Sequence, residues 1–133
     1  YTTLFRSRGD FMKPMDVARV VEMVMGSLQS AESAHPVFAS RYLADGSLGG
    51  GTEAQSMLSS VQRVNDQEEK HGGCAAESLL LEEMLEADLA YRDGDYSQCL
   101  RELSHCGAVV LRTMLMVIVK MSSGKKRRDQ YAS

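Results

Sequence analysis

The stretch from Leu85 to Cys106, "LEADLAYRDGDYSQCLRELSHC", decides the fold. Its apolar residues recur at helical spacing on both sides of Asp93-Gly94-Asp95, so it reads as two helices folded back around Gly94. Asp93-Gly94 stops the first helix, and Asp95 caps the second. Upstream, Leu80, Met84, Ala87 and Tyr91 set a stripe that Leu81, Leu85 and Leu89 widen, over a helix beginning near Cys74. Downstream, Tyr96, Cys99, Leu100, Leu103, Cys106, Val110, Met114, Val117 and Met121 extend a last helix over about 96–122.

Outward from this hairpin the rest of the chain also reads as helical. Pro14 suits a first-turn position and Asp16 the positive end of a helix dipole, while Val17, Val20, Val21, Val24 and Leu28 repeat on one face, predicting a helix over 14–31. Residues 1–13 carry no period and read as a strap. His35-Pro36 breaks the pattern, and "VFASRYLA" (37–44) predicts a short helix with Phe38, Tyr42 and Leu43 inward. Residues 45–52 form a Gly-rich linker whose composition suits a natural connection or an engineered join. Thr52, with Gln55 three residues on, has capping-box spacing. Met57, Leu58, Val61 and Val64 give the next stripe, which fades into "NDQEEKHGG" (65–73). The expectation is an all-α antiparallel bundle of four to five helices. It forms one domain over 1–133, with helical segments at 14–44 and 53–122 and a basic tail at 123–133.

The chain has 133 residues, 44% of them hydrophobic, and a formal net charge of -3, enough to bury a core without disulfides or metal. Lys125, Lys126, Arg127 and Arg128 concentrate positive charge in one run, leaving a distinctly acidic body. An acidic body argues against nucleic acid as partner, because neutralising phosphates needs a basic face. Three Cys and no secretory segment at the start predict an intracellular protein, cytoplasmic or nuclear. A chain starting at Tyr1 reads as an excised fragment. The most apolar run, Ala108–Val119, contains Arg112 and is shorter than the roughly 20 residues a membrane span requires, so it predicts a buried helix.

The hairpin resembles a single tetratricopeptide (TPR) repeat, and equally the second and third helices of an MIT domain. The likeness covers 83–107 and rests on Ala87, Ala90, Tyr91, Gly94, Tyr96, Cys99, Leu103 and Cys106. Cys99 and Cys106 stand where the TPR family has Ala, Leu111 stands near the place of its closing proline, and no second copy follows. A solenoid is therefore excluded. The resemblance implies a peptide- or helix-binding scaffold without enzymatic activity.

Chemical constellations are sparse. His71 with Cys74, and His105 with Cys106, offer four soft donors, but adjacent residues on a helix point about 100° apart and cannot easily share one metal. The prediction is small core cysteines, solvated histidines, no metal site and no cofactor. Glu77, Glu82, Glu83, Glu86, Asp88, Asp93 and Asp95 read as a solvated acidic face suited to steering a basic partner. No nucleophile triad, phosphate loop or dinucleotide fingerprint is present, so no enzyme is predicted. Nine Met, spread over several helices, suit an irregular core or an adaptable groove. These features predict a protein–protein interaction module that holds an amphipathic helix or short peptide in an apolar groove. Its expected contacts are Val20, Met23, Val24, Leu89, Tyr91, Tyr96 and Leu103. The alternative is a structural domain that dimerises through Met114, Val117 and Met121 of the last helix.

Overall fold

The computed structural model of the protein describes residues 13–38 and 50–131, with side chains described as far as Lys125. It is all-α, with four long helices and no strand among the described residues: α1 (Pro14–Ala34), α2 (Gly51–Lys70), α3 (Ala76–Arg92) and α4 (Tyr96–Tyr131). The chain divides into two compact units, one of residues 38–110 and one of residues 1–37 with 111–133, and α4 contributes to both. The predicted strap, short helix and linker fall almost wholly outside the described residues. Phe38 is described and departs from its expected inward position: it is 90% exposed and lies beyond any helix.

Helix boundaries follow local chemistry. Pro14 opens α1, and the chain leaves it at His35, whose backbone is restricted by Pro36. α2 begins at Gly51 rather than after a Thr52 cap. The Glu53 carboxylate accepts from the Gly50 N–H at 2.9 Å, the half of a capping box that needs no side chain on the cap residue. The helix runs through "NDQEEK" to Lys70 because those residues tolerate helix well; Gly72 and Gly73, both at positive φ, stop it. α4 likewise continues past 122 to Tyr131, since nothing in "SSGKKRRDQY" forces a stop.

The α3–α4 connection is a tight turn. Gly94 has φ +73°, the Asp95 N–H reaches back to the Ala90 carbonyl at 2.9 Å, and the Gly94 N–H reaches Tyr91 at 3.1 Å. This pair of bonds is a Schellman motif. Asp95 Oδ1 then accepts from the Gln98 N–H at 3.1 Å, capping α4 as its sequence position implies.

Within the 38–110 unit, α2 packs on α3 through Ala54, Leu58 and Leu85, with Val61 and Leu89 alongside. Asn65, at the far end of this seam, donates to the Ser78 carbonyl and to Glu82, each at 3.2 Å. α3 packs on α4 through Ala87, Ala90 and Cys99, with Tyr91 against them. The buried side chains at this seam are small.

The buried stripe matches the predicted one in part: Leu85 and Ala87 on α3 and Cys99 on α4 are buried as expected, but it runs on through Glu83 and Ala90 on α3 and Glu102 and Val109 on α4, while Met84 and Leu103 face solvent. Two carboxylates therefore occupy core positions.

Gly94→Ala would place a Cβ in open space yet hold it at positive φ. The expected loss is about 1–2 kcal/mol, from backbone strain alone. Asp95→Ala should cost about 1 kcal/mol through the lost cap. Urea unfolding of each variant measures both, and an unchanged midpoint for Gly94→Ala would contradict the turn.

Candidate functional site

The two core carboxylates meet a histidine. His105 Nδ1 on α4 lies 3.1 Å from Glu83 Oε2 on α3 and 3.3 Å from Glu102 Oε2, one turn earlier on its own helix. Glu83 is 8% exposed and Glu102 only 6%. Gln98 Nε2 donates to Glu102 Oε1, which fixes that carboxylate. Its other oxygen, Oε2, is fully buried and makes no hydrogen bond of normal geometry. His105 is thus not solvated, nor is Glu83 on a solvated face, and both depart from the sequence expectation.

Crowding makes this an unusual electrostatic environment. Burial, and then the adjacent Glu102 carboxylate, push Glu83 up to about 8. Glu86 is pushed up to about 8 by the same two causes. Burial would raise Glu102 too, but the neighbouring Glu83 and Glu86 carboxyls and the His105 charge carry it below the ordinary value. Glu102 therefore holds the negative charge, while Glu83 and Glu86 hold protons near neutral pH. An open cleft of about 420 Å³ adjoins the cluster, with Glu86, Gln98 and Glu102 on its wall beside Leu58, Leu89 and Ala90.

The soft donors stay apart from this arrangement. Among the described residues, Glu83, Glu102 and His105 bring potential ligand atoms within 4.8 Å of one another, and His71, Cys74 and Cys106 do not join them. Burial, and then hydrogen bonding to Glu69 at 3.0 Å, pushes the Cys74 thiol up to about 12. It is a protonated donor and a poor metal ligand. Cys99 is buried and Cys106 half-buried; burial raises the pKa of both.

The predicted contact residues scatter. Val20 is fully enclosed, whereas Met23 (51% exposed) and Val24 stand in solvent on α1. In the other unit, Leu89 and Tyr91 are half-buried against the two core seams, and Tyr96 and Leu103 are exposed. The Tyr91 and Tyr96 rings contact each other across the turn, with centroids 5.3 Å apart. Lys125 is exposed at the start of the basic run. Exposed apolar side chains also line the later part of α4, with Met116, Val117, Val119 and Met121 among them.

Comparison with protein-family models, with curated proteins and with solved structures gives no match.

A pH dependence follows from the cluster. Glu83 and Glu86 keep protons in the fold that the unfolded chain sheds above 4.5, so the native state binds more protons between 4.5 and about 8. Their contribution to stability is fully present below 4.5 and is lost as pH rises through about 8. Glu83→Gln should flatten that fall, since the amide can still donate but cannot ionise. Melting temperatures across this range measure it, and a flat wild-type profile would contradict the assignment.

Proposed function

We propose that the chain is a protein–protein interaction module that receives an amphipathic helix or short peptide on an apolar surface. The observation that carries this reading is the set of large apolar side chains left in solvent on α1, where Met15, Val21, Met23, Val24, Met25 and Leu28 are all exposed. At helical spacing Val21, Val24, Met25 and Leu28 share one face, which a stable monomer seldom leaves open, and flexible Met side chains suit a surface that adapts to a partner helix. Val20, being enclosed, supports α1, and the contacts fall to Met23 and Val24. Exposed Leu103 and Tyr96, whose ring contacts Tyr91, would give the α3–α4 hairpin an aromatic and apolar surface, while Leu89 packs toward the α2 seam. The role is binding rather than catalysis. Free thiols at Cys74, Cys99 and Cys106 suit a reducing, intracellular compartment.

Self-association through α4 is the second reading, favoured by the 64% exposure of Met121 and by exposed Val117. A lipid-facing role is less well supported. The segment Tyr96–Lys125 is long and apolar enough to cross a membrane by length and composition, and little of its most apolar window is buried. Its first half, however, carries buried Cys99, Glu102 and Val109 and the His105 contacts to two carboxylates. From Val110 to Lys120 the remainder falls short of the roughly 20 residues a span needs.

The test is capture of partners from lysate by the wild-type chain and by a Met23→Asp/Leu28→Asp variant matched in helicity and melting temperature. A partner held stoichiometrically by the wild type, rebinding when purified, and lost with the variant is the expected result. Equal capture by both would move the interface off α1. A concentration-dependent dimer that Val117→Asp dissociates would favour the second reading.

A further inference from the structure

We propose that Glu83, Glu102 and His105 form a binding site for a first-row divalent transition-metal ion. Three observations converge on it. The donors come from two helices, one carboxylate from α3 and a Glu-x-x-His pair from α4, a combination that places carboxylate and imidazole on one face of adjacent turns. Helical bundles hold iron and manganese with such pairs.

The spacing also fits a metal. Bonds of about 2.0–2.2 Å to N and O donors put neighbouring ligand atoms about 3.0–3.5 Å apart. His105 Nδ1 lies 3.1 Å from Glu83 Oε2 and 3.3 Å from Glu102 Oε2.

The third observation is the under-satisfied oxygen of Glu102. The residue is 6% exposed, its Oε1 is held by Gln98, and its buried Oε2 makes no hydrogen bond of normal geometry and has the His105 ring at 3.3 Å as its charged neighbour. A buried carboxylate oxygen without a well-formed hydrogen bond carries a desolvation cost, and a cation bound there would offset it. Gln98 would act as the outer partner that orients a ligating carboxylate. The cleft beside Glu86 and Glu102 supplies a route for the ion and room for a water in a remaining coordination position. Imidazole together with carboxylates selects zinc, iron or manganese over magnesium or calcium, which prefer all-oxygen sites.

The experiment uses the full chain, stripped by chelator and titrated calorimetrically with Zn²⁺, with Co²⁺ as the spectroscopic probe. One equivalent of Zn²⁺ should bind and raise the melting temperature, and Co²⁺ should develop the visible bands of a low-coordinate site. Glu102→Gln and His105→Gln, each with wild-type helicity, should lose at least about tenfold in affinity. Should either variant fail to fold, NMR of the wild type decides, because Zn²⁺ should shift the His105 imidazole resonances before those of His35 or His71. Absence of saturable binding, undiminished binding in folded variants, or first occupancy of His35 or His71 would overturn the proposal.

Discussion

Positive φ at Gly94 is the constraint on which the 38–110 unit turns. The residue reverses the chain within one Schellman motif, and Asp95 begins the next helix at once, so α3 and α4 have little freedom to slide. Register is then counted outward from the turn. Ala90 and Cys99 meet first, and about two helical turns further Glu83 meets His105. A bulkier residue at Ala87 or Ala90 would wedge the helices apart and dissolve the polar contact beyond.

That register sets two opposed tendencies side by side. Near the turn, the buried side chains of the seam are small. Farther out, the same seam places carboxylates in a poorly solvated space, where isolated charges cost several kcal/mol each. The protein meets this by holding protons on Glu83 and Glu86 and by setting His105 against Glu102. Apolar residues of similar size would stabilise the same hairpin more simply. The proposed metal site would use those acid groups, and the proposed partner would dock on the exposed apolar residues of α1 or late α4.

Much of the fold was legible in the residues. Asp93-Gly94-Asp95 punctuates the chain unmistakably, and Pro14, His35-Pro36 and the paired glycines at 72 and 73 mark other ends. Helix lengths were less legible, because "NDQEEK" and "KKRRDQ" are polar on every face and lack a stripe, yet favour helix all the same. The candidate site was nearly invisible to periodicity, which assigns charged residues to solvent. Its signal was nevertheless present: the spacing 83, 87, 90 on α3 and 99, 102, 109 on α4 is a helical stripe that passes through Glu83 and Glu102. Following Met84 and Leu103 instead turned part of the predicted face toward solvent, since large apolar side chains outweighed the small ones that actually form the contact. Asn65 was hidden for the same reason, as a polar residue ending the Ala54, Leu58, Val61 face.

The most direct measurement of the interhelical contact is a double-mutant cycle between Glu83 and His105 on chelator-treated protein. Glu83→Gln, His105→Gln and the double variant would each be unfolded in urea at neutral pH. Side chains in contact across a buried seam should show a coupling energy of roughly 0.5–3 kcal/mol. Additivity within about 0.3–0.5 kcal/mol would mean that the two residues do not meet, and the register drawn from Gly94 would be wrong.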